Sequence, residues 1–395
     1  MTDDIGRRRR IAEAFAAAYG TTPTVWVRAP GRVDLMGSHT DYNQGFVLTL
    51  PIRRDTWIAA RPRSDRIVRV RSLNLEGESR FALDAIEHDE QHRWADYVRG
   101  VAAVLREEGL PLVGFDGLVH STVPISSGLS SSAALEVATA VLFRTLGGWE
   151  IGPLRLALLC QRAENEFVGM NCGILDQYTS LLGQEGCALL LDCRALSHQV
   201  VPLPARLSVV ICDTRSRREL TGSEYGQRRA QCEEGVRLLA RYLPGIAALR
   251  DVSPEQFQKY EPTLPPVIAR RCRFVIEENE RVLRMADALL SDDREWIHRL
   301  MMASFAGARD LYEISSPEMN AMIQAMEGAP GVVGARQAGA GFGGCMVALV
   351  EPEQVPDFAQ AVRQKYRATT GIEPEIYPEG AGAGAGVLPT PEGEG

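Results

Sequence analysis

A two-domain chain of mixed helix and strand is what the sequence predicts, and three observations carry the prediction. Its 395 residues, 45% hydrophobic and 24% charged, have an ordinary globular composition and suffice for two cores rather than one. Segments of strand character and segments of helical apolar spacing recur along the whole chain. Strands read at 187–193 and 207–214 flank a boundary at 195–205, which gives an N-terminal domain of 1–200 and a C-terminal domain of 201–395.

Composition also excludes partners. A net charge of −8 argues against a general nucleic-acid or anionic-membrane surface, so a phosphorylated ligand would need local cations or Mg²⁺. Eight cysteines are scattered without C-x-x-C spacing, and no apolar signal segment follows Met1. That pattern predicts reduced thiols in a cytoplasmic protein. No stretch approaches 18 continuous apolar residues, so no membrane span is expected, and the chain is expected to act as a monomer.

The arginines at 7–10 read as the solvated start of a helix that runs to Tyr19, where Gly20 can end it. Residues 24–29 read as a short strand broken by Pro30-Gly31, followed by a polar loop and a second strand at 46–52. Further strands are read at 66–73 and 81–83. A helix follows from 94 to 108, whose Trp94 and Tyr97 read as core or rim residues. A strand at 118–123 then meets Pro124-Ile125-Ser126-Ser127-Gly128-Leu129-Ser130-Ser131-Ser132-Ala133, which opens a helix over 133–146. Helical spacing over 151–167 carries Glu164 near its end, and the glycine-punctuated turn after Gly169 delivers Asp176 at the start of another helix. A helix starts at 223 and continues to 239, residues 253–330 are mainly helical, and 345–350 is a strand. The Gly/Ala/Pro-rich stretch 379–395 predicts a partly mobile tail.

Three of these stretches could carry chemistry. A run of small hydroxyl residues between a strand and a helix leaves backbone N–H groups unpaired where the helix dipole favours negative charge, which makes an anion site. Alone it reads more readily as a serine-rich N-cap with no ligand, and no Lys follows Gly128 as the Walker pattern requires. The loop bearing Arg32, Asp34, His39 and Asp41 packs charged groups between glycines; His39 and Asp41 could ligate a metal, but dense short polar groups beside a cation suit a sugar better. Glu164, late in a helix, is opposed by the dipole and needs a cation or solvent, whereas Asp176 in a first turn is favoured ionised. Gly339 to Gly344 formally satisfies G-x-G-x-x-G, but it precedes a strand and opens no helix, so the dinucleotide reading fails on context.

Three separated stretches, Pro30-Gly31-Arg32-Val33-Asp34-Leu35-Met36-Gly37-Ser38-His39-Thr40-Asp41-Tyr42, residues 124–134, and Gly334-Ala335-Arg336-Gln337-Ala338-Gly339-Ala340-Gly341-Phe342-Gly343-Gly344, resemble in order the three motifs of the GHMP small-molecule kinases. The first, with 169–177 and 218–229, is similar to the galactokinases in particular. The resemblance implies an α+β, two-domain GHMP kinase fold with the active site between the domains, ATP and Mg²⁺ as cofactors, and phosphate passing to the anomeric hydroxyl of a galactose-like sugar. By match, Asp176 and Arg32 resemble the catalytic pair. Ser38, His39, Asp41, Gly173 and Tyr225 resemble the sugar contacts. Pro124, Ser126, Gly128, Leu129, Ser130, Ser131, Ser132 and Ala133 resemble the phosphate cradle, and Ser132 with Glu164 resembles the Mg²⁺ partners. The implied partners are a small-molecule sugar and ATP.

Departures from the family pattern bear on the substrate. Ser38 stands where these kinases usually carry a Glu facing the sugar's 6-position, so galacturonate and L-arabinose are alternatives to galactose. Ala338 and Ala340 replace the usual Thr and Gly, Phe305 replaces a frequent His, and Ala340 requires a backbone that avoids positive φ. A non-catalytic sugar and ATP sensor on the same fold is a further alternative, against which the intact serine turn, Arg32, Glu164 and Asp176 all argue.

Overall fold

The computed structural model describes residues 2–125, 127–170, 172–216 and 222–389. In chain order the elements are α1 (Thr2–Tyr19), β1 (Val25–Met36), β2 (Phe46–Arg63), β3 (Ile67–Ser72), β4 (Glu78–Ala82), α2 (Asp96–Glu107), β5 (Gly114–Ser121), α3 (Ser131–Gly147), α4 (Pro153–Arg162), α5 (Leu175–Leu182), β6 (Cys187–Asp192) and β7 (Ser197–Pro202). They continue with β8 (Ser208–Asp213), α6 (Gly222–Leu239), α7 (Pro254–Tyr260), α8 (Pro266–Leu290), α9 (Arg294–Asp310), α10 (Pro317–Glu327), β9 (Val332–Gln337), β10 (Cys345–Val350), α11 (Val355–Thr370), β11 (Glu375–Glu379) and β12 (Gly386–Val387).

They form two sheets. The larger runs β12-β1-β2-β5-β3-β4, with β6 added to β2 and β7 to β6; the smaller runs β11-β8-β10-β9. Alternation along the strands sends successive side chains to opposite faces. Val27, Ile58 and Phe115 point into a core with α2, α3, α4 and α5, while Trp26, Trp57 and Leu118 point the other way, onto Ile11 and Phe15 of α1. The smaller sheet buries Cys212, Met346 and Val350 against Met322, Phe358 and Tyr366 of α10 and α11. A further cluster belongs to both halves: Val33, Leu48 and Leu50 of the large sheet meet Val209, Ile211 and Val347 of the small one, with Met285 and Leu289 of α8 between them. The motif loops lie along this seam.

Three expectations need correction. Pro30-Gly31 does not end β1; the strand continues to Met36 and absorbs the proline in a register shift between Pro30 and Arg32. Arg7 is not solvated. Its guanidinium bonds Asp55 at 2.5 Å and lies 4.2 Å from the Trp57 ring centroid, and the side chain is 9% exposed. The stretch 195–205 holds a strand, β7, paired along its length with β6. Within the expected mobile tail, residues up to 389 are fastened to the large sheet: Ala381 bridges Ile52, Gly384 N–H donates to Gly183 O, Ala385 N–H to Ser180 O, and β12 pairs with β1. Residues 390–395 lie outside the described residues.

Candidate active site

The serine turn reaches α3 through two left-handed residues, Gly128 at φ 87° and Ser130 at φ 58°. Ser130 is the N-cap residue of α3, yet its side chain does not cap the helix; its Oγ donates to Asp176 Oδ2 at 2.5 Å. The first-turn N–H groups of Ser131, Ser132 and Ala133 therefore have no side-chain cap, which is the arrangement an anion uses. Leu129 is fully buried, and its carbonyl accepts from Arg32 N–H at 3.1 Å. Pro124 O accepts from Ser127 Oγ at 2.9 Å, which tightens the turn. Ser126 lies outside the described residues.

Two cavities meet here. One, of about 440 Å³, has Ser130, Ser131, Ser132 and Glu164 at a polar end and Leu75, Trp94, Tyr97, Ile125 and Leu135 at an apolar one. The other, of about 730 Å³, is lined by Asp34, Ser38, His39, Asp41, Gly173, Tyr225 and Arg229. Arg32 and Asp176 line both. Trp94 and Tyr97 thus face a cavity, although an aromatic pair at a helix start carries no sequence signal that separates wall from core. Trp94 Nε1 is buried without a hydrogen-bond partner.

The bulge in β1 aims Arg32 at the junction. Gly31 makes that possible, since a Cβ there would sit 2.5 Å from Leu129 O. Arg32 donates to Asp176 Oδ1 from Nε at 2.8 Å, reaches it from Nη2 at 2.7 Å, and donates from Nη1 to Gly128 O at 2.6 Å. Burial alone would lower the Arg32 pKa, but the carboxylates of Asp176, Asp34 and Asp41 outweigh it and raise it, so the guanidinium stays charged.

In the larger cavity the polar side chains are already partly committed. His39 sits at φ 64° with Nε2 on Ala340 O at 2.9 Å and Nδ1 on Tyr42 Oη at 2.8 Å, and Tyr42 Oη in turn meets Tyr312 Oη at 2.7 Å. With a carbonyl on Nε2, that nitrogen carries the proton and Nδ1 accepts. Burial lowers the His39 pKa to about 4, so the ring is neutral and presents an edge, not a charge, to a ligand. Ser38 Oγ accepts from the buried Arg336 Nη2 at 2.8 Å and has one proton to share between Asp34 Oδ2 and Gly339 O. Arg336 also donates to Ser304 Oγ, which donates to Glu278 Oε1, and Glu278 accepts from Gly37 N–H. This network joins the end of β1 to α8, α9 and β9. Asp34, bonded by Gly339 N–H at 2.6 Å, is pulled below the usual carboxylate range, because Arg336 and Arg32 outweigh the cost of burial.

Asp41 differs: burial pushes its pKa up to about 6, with Asp176 and Asp34 adding to the rise. Gly173 packs so closely that a Cβ would lie 2.1 Å from Asp41 Oδ2. Tyr225 stacks near His39, ring centroids 5.3 Å apart. Among the resembled stretches, Asn171 and residues 217–221 lie outside the described residues. In the third motif Gly339, Gly341, Gly343 and Gly344 take positive φ, as does Phe342, while Ala340 does not. Phe305 is core, with Arg309 over its ring.

Glu164 lies in a π-helical turn, Ala163–Val168, not in the regular helix expected. It is 7% exposed, and instead of solvent its Oε2 accepts from Gln177 Nε2 at 2.6 Å and from Cys172 Sγ at 3.1 Å. Burial raises its pKa, while the bonds from Cys172, Gln177 and Ser132 oppose the rise. A hydroxyl and one carboxylate at the polar end of a cavity fit Mg²⁺, which binds few protein oxygens and completes its octahedron with water and phosphate. Among the described residues no three His, Cys, Asp or Glu side chains cluster to hold a metal by themselves. No helix among the described residues is long and apolar enough to cross a membrane.

Comparison with known proteins adds to this geometry. Residues 13–62 match the model of the galactokinase galactose-binding signature, 96–184 that of the GHMP kinases N-terminal domain and 285–368 that of the GHMP kinases C-terminal domain. The chain is 47% identical to the galactokinase of Chloroflexus aggregans over 374 residues, covering 94% of this chain and 96% of that one. It is 46% identical to the galactokinase of Roseiflexus sp. strain RS-1 over 376 residues, covering 95% and 96%. It superposes on Lactococcus lactis galactokinase complexed with galactose with a TM-score of 0.92 at 33% identity, over 96% of this chain and 99% of that one. A mevalonate kinase from Methanococcus jannaschii, 16% identical with a TM-score of 0.63 over 91% and 98%, shares the fold.

Proposed function

Since this chain belongs to the galactokinase family of the GHMP kinases, we propose that it transfers the γ-phosphoryl group of ATP to the anomeric hydroxyl of galactose, giving galactose 1-phosphate and ADP, with roles divided along the two cavities. The observation that carries the reading is the shared wall: Arg32 and Asp176 line both cavities, and Ser130 of the phosphate turn is bonded to Asp176 itself. A sugar hydroxyl on one side and a phosphate on the other then meet at one carboxylate.

The triphosphate lies on the N–H groups of Ser131, Ser132 and Ala133, with the base toward Trp94 and Tyr97 in the apolar end. Ser132 and Glu164 would hold Mg²⁺, which would neutralise charge on the phosphates. Galactose occupies the larger cavity, where Asp41 accepts from its hydroxyls, Gly173 leaves room for Asp41, and Tyr225 and the edge of His39 shape the wall. Asp176 orients the 1-hydroxyl. As the new O–P bond forms and the bond from Pγ to the bridging oxygen of ADP breaks, the hydroxyl proton passes to the Asp176 carboxylate, while Arg32 offsets charge on the transferred group. Ser38 is occupied by Arg336 and the Asp34 side chain, so it adds neither charge nor a spare proton for a 6-carboxylate, which disfavours galacturonate; the likeness to galactokinases supports galactose over L-arabinose.

We also take the chain to act as a cytoplasmic monomer, since residues of a single chain line both cavities and Cys160, Cys172, Cys187, Cys193, Cys212, Cys232 and Cys272 form no disulfide. The two-domain division is taken near residue 200, with 380–389 packed onto the first domain. The test is Asp176→Asn assayed by coupled ADP release beside calorimetric galactose binding. Turnover should fall by about a thousandfold or more with binding retained. Turnover at the wild-type rate would remove Asp176 from the reaction, and turnover with another sugar preferred over galactose would overturn the substrate.

A further inference from the structure

Beneath the phosphate turn lies a buried cluster that none of these roles uses. Glu136 stands one helical turn after Ser132 on the same face of α3 and is completely buried, as is Gln177, the residue after Asp176 on α5. Gln177 Nε2 donates to Glu136 Oε2 at 2.9 Å and to Glu164 Oε2 at 2.6 Å. A carboxamide nitrogen has two protons, and both are spent on carboxylates from two different elements. Rotating the amide by half a turn would lose both of these donations. The other oxygens of the bridge, Gln177 Oε1 and Glu136 Oε1, are buried with no hydrogen-bond partner, a cost a fold seldom carries without a reason.

Gln177 Nε2 and Cys172 Sγ both bond Glu164 Oε2, so Oε1 is the oxygen that a cation would take. We propose that Gln177 and Glu136 are positioning residues for the divalent cation of the nucleotide: Glu136 holds the Gln177 amide, and the amide turns Glu164 so that one carboxylate oxygen faces the cavity. The proposal rests on the assignment of Glu164 to the cation given above. Neither Glu136 nor Gln177 lines either cavity. They act through Glu164, as outer partners of a metal carboxylate do when they fix its orientation.

The experiment measures Mn²⁺ binding to the full-length protein in the presence of ADP, by electron paramagnetic resonance, together with galactose binding by calorimetry and thermal melting. Glu136→Met and Gln177→Met keep side-chain length and remove the polar atoms. Each should weaken Mn²⁺ binding about ten- to a hundredfold. The double variant should be no weaker than Gln177→Met alone, since Glu136 acts only through that amide. It also replaces both bonded groups by apolar ones, so it folds even if Glu136→Met does not. Glu136→Gln keeps an acceptor for Gln177 Nε2 and should restore Mn²⁺ affinity to within about threefold of wild type, a rescue that a packing role would not require. Wild-type Mn²⁺ affinity in the double variant, or losses that add in the cycle, would overturn the proposal. Glu164→Gln separates the two readings. If it leaves Mn²⁺ binding unchanged, the cation assignment itself fails; if it weakens binding while Gln177→Met does not, only the positioning pair fails.

Discussion

Asp41, proposed above to bind the sugar, costs the folded protein stability. Its carboxyl is pushed to about 6 by burial and by Asp176 and Asp34, against an ordinary 3.8 in the unfolded chain. Between those values the folded protein binds the proton more readily, so stability falls as pH rises from about 4 to 6 and the penalty persists above. Asp41→Asn should therefore stabilise the sugar-free protein by about 1–2 kcal/mol at pH 7 and by little at pH 4, discounted for its partial exposure, while weakening galactose binding. Urea unfolding at the two pH values decides it; an equal effect at both would show that the charge is not the cause. At this scale the site is partly legible in sequence. Arg32, Asp176, Asp41 and Glu164 stand in dense polar or glycine-marked stretches, and the structure brings them to two adjoining cavities. Glu136, Gln177, Arg336 and Trp94 are not legible, because nothing local distinguishes a buried polar side chain with a distant partner from one in solvent. Their partners are 41 positions apart for Gln177 and Glu136 and 298 for Arg336 and Ser38.

Among elements, β1 carries the most consequence. The sequence reading ends it at Pro30-Gly31 because proline lacks a ladder donor, but a bulge takes up the irregularity and turns Arg32 toward the junction. The same glycine lets the serine turn lie against the strand. Gly31→Ala would drive a Cβ to 2.5 Å from Leu129 O, a backbone atom that yields only by moving the turn. We expect a stability loss of about 1–3 kcal/mol and a fall in turnover, and wild-type values of both would show that the turn is freer than its packing implies. The helix α1 reads correctly from its alanine-rich composition and the glycine that ends it, and α4 from its apolar spacing. The π-helical turn at Ala163–Val168 and the strand β7 do not: the first keeps helical periodicity, and the second has exposed and buried residues in an order that resembles a connector.

For the molecule as a whole, the two halves share a core, and the last described residues return to the first sheet. Removing residues 380–395 would take away the bond from Ala385 to Ser180 of α5, the element that carries Asp176, the bond from Gly384 to Gly183 just after it, and the carbonyls that accept from Arg8 and Arg28. Melting should drop by roughly 5 °C or more, a loss of a few kcal/mol, and galactose-dependent turnover should fall with it. A truncated protein that melts and turns over like the intact one would contradict the anchoring role.

Arg8 Nη1 reaches Pro389 O at 2.5 Å, so α1 and the segment after β12 lie side by side on the same face. A short flexible peptide could therefore close the polypeptide into a ring, and the ring could be reopened at the exposed Pro244-Gly245 turn without cutting a strand of either sheet. Such a circular permutant should phosphorylate galactose at close to the native rate, in an assembly order that no longer starts with α1.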